Sequence, residues 1–243
     1  MNNFKNLQSI KRKNSIEQQT ISSIISNYKE EPLVSIITPS YRRPNLLPMC
    51  IESVNNQIYK NWEHIITIEE ISDKYLEIIK KNNNSKRKFI INKTRIGCGL
   101  SRKIAIENSN GSIIFYIDDD DIFYKDHLFS RHKYFFEYDF IYSDSTLSQK
   151  TYLRNNKVEN NDIILSNSGP YSFERLQNGN FITPITVCHT KKVYDMTDGF
   201  FSEPFEDWKM WKRILLKTNK ILYLEKITCE TRHFLNELRG PCF

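Results

Sequence analysis

With 243 residues, 39% of them hydrophobic and 26% charged, the chain is long enough for one large α/β domain with a real core. A net charge of +6 suits a polyanionic ligand or a membrane surface without requiring either, and only 7 glycines argue against a repeated glycine-rich phosphate cradle. No stretch approaches the apolar length of a membrane span, and the N-terminus lacks the apolar core of a signal peptide, so a cytoplasmic protein is expected.

Residues 1–31 are polar and rich in Asn and Lys. Ile21, Ile24, Ile25 and Tyr28 fall at helical spacing and predict a short leading helix over 16–28, which could dock on the domain or on a partner. The cluster Lys11-Arg12-Lys13 offers a peripheral contact for anionic lipid headgroups, with a solvated tail as the simpler reading. The core pattern starts at Pro32. Leu33 to Thr38 reads as a buried strand ended by Pro39, followed by a helix over 44–56 with Leu46, Leu47, Cys50, Ile51 and Val54 on one face. A second strand (62–68), a second helix (73–80), a third strand (89–92), a helix (100–108) and a fourth strand (113–117) follow. Strands alternating with helices of this length imply a mostly parallel sheet with right-handed crossovers. Beyond Tyr124 the pattern loosens. It predicts a helix over 127–138, a strand at 140–142, an Asn-rich excursion over 155–168 and a strand at 185–189. A helix over 205–217 and a strand at 221–224 complete the domain. The cysteines Cys50, Cys98, Cys188, Cys229 and Cys242 include no CxxC pair and read as reduced thiols, mostly in the core.

The fourth strand runs directly into Asp118, Asp119, Asp120 and Asp121. Carboxylates crowded at the mouth of a buried strand raise one another's pKa, and a hard divalent cation, Mn²⁺ or Mg²⁺, is their natural partner. An acidic solvated turn is the plain alternative, but the strand behind the run aims it in a fixed direction. If the first three strands wind one way and the fourth lies on the other side of the first, their carboxyl ends flank the crevice where α/β ligands bind. That placement brings Thr38, Pro39, Ser40, Tyr41 and Arg43 beside the aspartates. Glu69 closes the second strand, where a carboxylate can accept from a base N–H or a ribose hydroxyl. Arg95, Gly97 and Arg102 gather at the opening of a helix, a setting suited to a diphosphate. Glu206 and Asp207 open the helix EDWKMWKRILL, either as helix-dipole caps or as a general base for an acceptor hydroxyl. His233 lies where a returning segment could add a metal ligand.

On these residues the chain resembles a family 2 glycosyltransferase of the GT-A fold over roughly residues 32–235. PLVSIITPSYRRPNLLPMCIESVNNQIYKNWEHIIT is similar to that family's opening strand, helix and second strand. GCGLSRKIAIENSNGSIIFYIDDDD resembles its glycine–arginine segment and DxD-type strand end, and DGFFSEPFEDWKMWKRI its ED helix. The resemblance implies one domain over 32–243, with a nucleotide-sugar half (32–124) and an acceptor half (125–243), behind the N-terminal extension. It implies a donor, usually a UDP-sugar, lined by Pro39, Tyr41 and Arg43, with its base on Glu69 and its ribose on Asp118. It further implies a metal on Asp120 and Asp207 as base, with Asp119 beside them. The acceptor would be a glycan, a lipid-linked saccharide or a protein. Where the family carries Asp-Asp-Gly-Ser after its second strand, this chain has Glu69-Glu70-Ile71-Ser72, without the glycine turn, and Lys103 replaces a common Asn.

Three rivals rank lower. A sugar-1-phosphate nucleotidyltransferase needs a glycine-rich loop after its first strand, and TPSYRRP has none. A binding module of the same fold without turnover would not need both acidic loci. The cations Lys80, Lys81, Lys86, Arg87 and Lys88 lack interleaved aromatics and read as a solvated run, not a nucleic-acid surface.

Overall fold

The structure, a computed structural model, describes residues 31–154, 157–166 and 168–234. The predicted leading helix, the Lys11-Arg12-Lys13 cluster and Cys242 lie outside the described residues. Strand β1 (Val34–Tyr41) pairs in parallel with β2 (Trp62–Glu69) on one side and with β4 (Ile113–Tyr116) on the other, and β2 pairs in parallel with β3 (Arg87–Asn92). The order β3-β2-β1-β4 therefore reverses at β1, meeting the condition on which the expected crevice depends. Helices α1 (Leu47–Asn55), α2 (Asp73–Asn82) and α3 (Cys98–Glu107) are the crossovers.

Pro39 does not end β1. The Ile37 carbonyl faces β4, accepting from the Ile117 N–H at 3.0 Å, so the Pro39 nitrogen two residues on points to the same side. The last pair there is Ile37 with Tyr116, so β4 has already ended and no ladder donor is missed.

The second half completes a mixed sheet. Next to β5 (Ile122–Phe123) in the chain comes a run of turns and one 3-10 turn (His132–Tyr134), where the apolar spacing predicts a helix over 127–138. The fully buried Arg131 explains the departure. Its guanidinium donates to the carbonyls of His127 and Thr186 and to the hydroxyls of Ser143 and Thr228, so the segment folds around it. Strand β6 (Phe140–Arg154) is far longer than the three residues predicted and turns back as β7 (Lys157–Ser166), a strand where an Asn-rich excursion is predicted. After the short helix α4 (Phe173–Asn178), a 3-10 turn (Pro184–Thr186) leads into β8 (Cys188–Thr190), and α5 (Lys191–Asp195) follows. Helix α6 (Glu206–Leu215) and strand β9 (Ile221–Phe234) close the described chain. The sheet continues β4-β8-β6-β9-β5.

Packing follows the amphipathic faces. Leu47 and Ile51 of α1 meet Tyr75 and Ile78 of α2 against β2. A separate cluster joins Ala105 and Ile106 of α3 to Met210, Trp211 and Ile214 of α6 across Ile37, Tyr116 and Phe140. Cys50, Cys188 and Cys229 are buried free thiols, and Cys98 is half-buried.

Candidate active site

Four chain segments meet beyond the carboxyl ends of β1, β2 and β4. The β4 strand delivers the four aspartates into a turn in which the Asp121 N–H donates to the Asp118 carbonyl at 3.1 Å. The turn splits them. Asp119 and Asp121 point into the protein, 3% and 5% exposed, whereas Asp118 and Asp120 are only half-buried.

Asp119 accepts from the Ser40 hydroxyl at 2.7 Å and from Arg43 Nη1 at 3.1 Å. Burial and then the neighbouring Asp120 push its pKa up to about 8 against the pull of Arg43. Asp121 is raised well above the usual carboxylate range for the same first reason, although it accepts from the Arg232 N–H at 2.9 Å. Arg43 Nη1 also donates to Asp120 at 2.8 Å. Burial opposes the charge on Arg43, yet Asp119 and Asp120 outweigh it and hold its pKa above the ordinary value. The aspartate run thus already draws a cation toward it.

Arg102 is the hub. It is 2% exposed, with Nη2 donating to Asp118 at 2.7 Å and Nη1 donating to Glu206. Both ends of its fork are engaged, so it acts on the crevice through two carboxylates. The approach of α3 to α6 that allows this depends on Gly99. A Cβ there would lie 1.9 Å from the Phe201 carbonyl oxygen and 3.2 Å from Glu206 Cγ. Glu206 opens α6 in a buried position, and Asp207 beside it accepts from Asn180 Nδ2 at 2.9 Å. Burial raises the Asp207 pKa and Glu206 adds to it, against Arg102.

The remaining sequence candidates are distributed as follows. Thr38 lies beneath the crevice floor, its hydroxyl 2.9 Å from His64 Nε2, and Pro39 is buried in β1. Tyr41 is half-buried, with the guanidinium of Arg95 over its ring at 4.7 Å and that of Arg42 at 5.1 Å. Glu69 is buried, accepting from the Ile96 and Gly97 N–H groups and from the Ser101 hydroxyl at 2.5 Å. It thereby anchors the start of α3, where Gly97 takes φ +88°. The glycine-less turn after β2 is made by Glu70 itself at φ +57°, its carboxylate accepting from the Tyr41 hydroxyl and from Arg42.

The predicted returning segment is present. Strand β9 runs antiparallel to β5, pairing Ile122 with Glu230, and brings Arg232 onto Asp121. His233 follows it directly. Among the described residues, no three His, Cys, Asp or Glu side chains gather as a metal cluster. Asn180, the partner of Asp207, went unread because a lone Asn in a loop carries no spacing signal. Glu70 was readable only as a missing glycine.

Comparison with known proteins matches residues 35–196 to the family described as Glycosyl transferase family 2. The chain spans only 16–19% of the length of the first curated relatives it matches. It is 26% identical over 207 residues to the Escherichia coli UDP-Glc:alpha-D-GlcNAc-diphosphoundecaprenol beta-1,3-glucosyltransferase WfgD, covering 78% of this chain and 72% of that one. Among solved structures it is similar to residues 1–349 of S. aureus TarS in complex with UDP-GlcNAc, with a TM-score of 0.64, 19% identity and coverage of 84% and 59% of the two chains. It is also similar to the Pyrobaculum calidifontis mannosyltransferase PcManGT in complex with GDP-Man and Mn²⁺, with a TM-score of 0.59, 12% identity and coverage of 84% and 57%. By the match over residues 35–196, and by a fold shared with these structures, the chain belongs to glycosyltransferase family 2, with a GT-A-like fold.

Proposed function

We propose that this protein is an inverting, metal-dependent glycosyltransferase that moves a sugar from a nucleoside-diphosphate donor, a UDP-sugar, to a hydroxyl of a glycan, a lipid-linked saccharide or a protein. One observation carries the reading: a single buried guanidinium, that of Arg102, ties the donor-side Asp118 to the acceptor-side Glu206. The two acidic loci are held as one site. A relative named for a UDP-Glc donor and a diphosphoundecaprenol-linked acceptor supports the donor class and favours a lipid-linked acceptor.

The aspartate turn fits Mn²⁺ or Mg²⁺. It presents hard carboxylate oxygens, and its buried members have their pKa raised by desolvation and then by Asp120 and Asp118, so a nearby positive charge lowers their energy. Asp120 would hold the ion, with Asp118 on the ribose and His233 on the returning strand as a further ligand. One or two carboxylates suffice when donor phosphates and water complete the shell, which is consistent with the lack of a three-residue cluster among the described residues. Once bound, such an ion neutralises charge developing on the departing diphosphate.

The chain's own residues do the rest. Tyr41 offers a ring to the base, and Arg95 lies over that ring. Pro39, Ser40, Thr38 and Gly97 shape the floor and the α3 opening, while Glu69, expected from the resemblance to hold the base, fixes that opening with its oxygens engaged by Ser101 and the Ile96 and Gly97 amides. Arg43 and Asp119 set the aspartate turn. Asp207 takes the acceptor proton as the hydroxyl oxygen attacks the anomeric carbon from the side opposite the departing diphosphate, which inverts the configuration. Its burial suits this role, because a raised pKa makes a stronger base. Glu206 and Arg102 position it.

The test is a screen of nucleotide-sugars for Mn²⁺-dependent hydrolysis and thermal stabilisation. At least one UDP-sugar is expected to give both. No response to any UDP-sugar would contradict the reading.

A further inference from the structure

Phe205, the residue before Glu206-Asp207, breaks three local rules at once. It occupies the N-cap position of α6, where Ser, Thr, Asp or Asn is preferred, and its side chain caps nothing. Its backbone sits in the left-handed region at φ +57°, ψ +41°, which is strained for an aromatic L-residue. The residue is 61% exposed. The backbone is fixed there, since the Phe205 carbonyl accepts from the Lys209 N–H at 3.0 Å. A solvent-facing ring buries little apolar surface to offset these costs, its one ring contact among the described residues being with Trp208.

The surroundings say what the ring can serve. Trp208 stands edge-to-face with it, centroids 6.2 Å apart at 83°. Trp208 is itself pinned, its Nε1 donating to the Leu176 carbonyl at 2.6 Å and the Lys212 ammonium lying over its ring at 4.0 Å. Two residues after Phe205, Asp207 is joined to the exposed Asn180, a pair offering both a hydrogen-bond acceptor and an amide. An exposed aromatic ring two residues before a carboxylate–amide pair, with a pinned tryptophan against it, has the chemistry of a sugar subsite. The C–H face of a pyranose is apolar and slightly positive and lies against the negative face of an aromatic ring, while its hydroxyls need polar partners at the rim.

We infer that Phe205, braced by Trp208, is the platform on which the acceptor's pyranose ring stacks to present a hydroxyl to Asp207. The inference rests on the transferase reading above and extends it by assigning the acceptor a sugar and a surface. Phe205 touches the acceptor only, and donor binding does not pass through it.

The substitution Phe205→Gly separates this role from a structural one. Glycine adopts the left-handed backbone without strain, so the variant is expected to melt at the same temperature as the wild type or higher. The probes are methyl glycosides of glucose, galactose and N-acetylglucosamine, read by saturation-transfer NMR on the wild type and the variant in the presence of UDP and Mn²⁺. At least one glycoside is expected to bind the wild type and to bind Phe205→Gly about tenfold more weakly. UDP affinity and donor hydrolysis by water should match in the two proteins, and Phe205→Trp should restore glycoside binding. Equal glycoside binding by Phe205→Gly, or no binding of any probe by a wild type that binds UDP, would overturn the inference. A wild type that binds no UDP would instead overturn the transferase reading on which it rests.

Discussion

Burial, more than any neighbouring charge, sets the protonation of the core histidines. His64, His127 and His189 all have lowered pKa values with desolvation as the first cause, and that of His189 falls to about 4. Its Nε2 lies 2.6 Å from the Tyr116 hydroxyl, within the cluster that backs α6. The ordinary histidine value is 6.5, so between pH 6.5 and 4 the unfolded chain takes up a proton that the folded chain does not. Stability contributed by neutral His189 is complete above that window and is lost as pH falls through it, by about 3 kcal/mol at pH 4. The raised carboxyls of Asp119 and Asp121 work in the opposite sense, favouring the folded state as pH falls. Comparison with His189→Gln isolates the histidine. Urea unfolding of both proteins at pH 7 and pH 4 should show the wild type's advantage shrinking by about that amount, and a constant difference would refute a neutral His189.

At the level of elements, α3 is the joint between the two acidic loci. Its N-terminus is held by Glu69, its Arg102 reaches both the aspartate turn and α6, and Gly99 permits the close approach. Removing Arg102 leaves the buried Glu206 without its cation, a change of the kind that costs about 3 kcal/mol or more. Arg102→Met should therefore unfold at distinctly lower urea, and adding Glu206→Gln should recover part of the loss. Additive losses in the double variant would mean that the pair is not coupled. This joint was only half legible in the sequence. GCGLSR and the aspartates stood out as polar groups at strand and helix ends, but the reach of Arg102 to residue 206 is a tertiary fact that no local spacing encodes. Glu70 shows the same limit. Its left-handed backbone makes the turn after β2 without a glycine, because tertiary hydrogen bonds to Tyr41 and Arg42 hold it.

On the scale of the molecule, legibility follows topology. The order β3-β2-β1-β4 was readable because buried parallel strands alternate with amphipathic crossover helices, and each announces itself as an apolar run or a 3.6-residue period. The second half is mixed: β6 pairs in parallel with β9, far along the chain, and antiparallel with β7, which follows it directly. Its strands carry polar residues such as Asn160 and Asn161, so β7 lacked an apolar signature. A buried Arg131 replaced a predicted helix with turns. The irregular half nevertheless supplies α6, and with it the proposed base, opposite the aspartates delivered by the regular half. That division of labour gives the central claim its sharpest test: calorimetric titration of UDP with Mn²⁺, beside turnover, for the wild type, Asp120→Ala and Asp207→Asn. Asp120→Ala is expected to lose both metal-dependent UDP binding and transfer. Asp207→Asn should keep UDP binding while turnover falls by about 10²-fold or more. Near-full turnover by Asp207→Asn at saturating acceptor, or unchanged metal-dependent UDP binding by Asp120→Ala, would contradict the account.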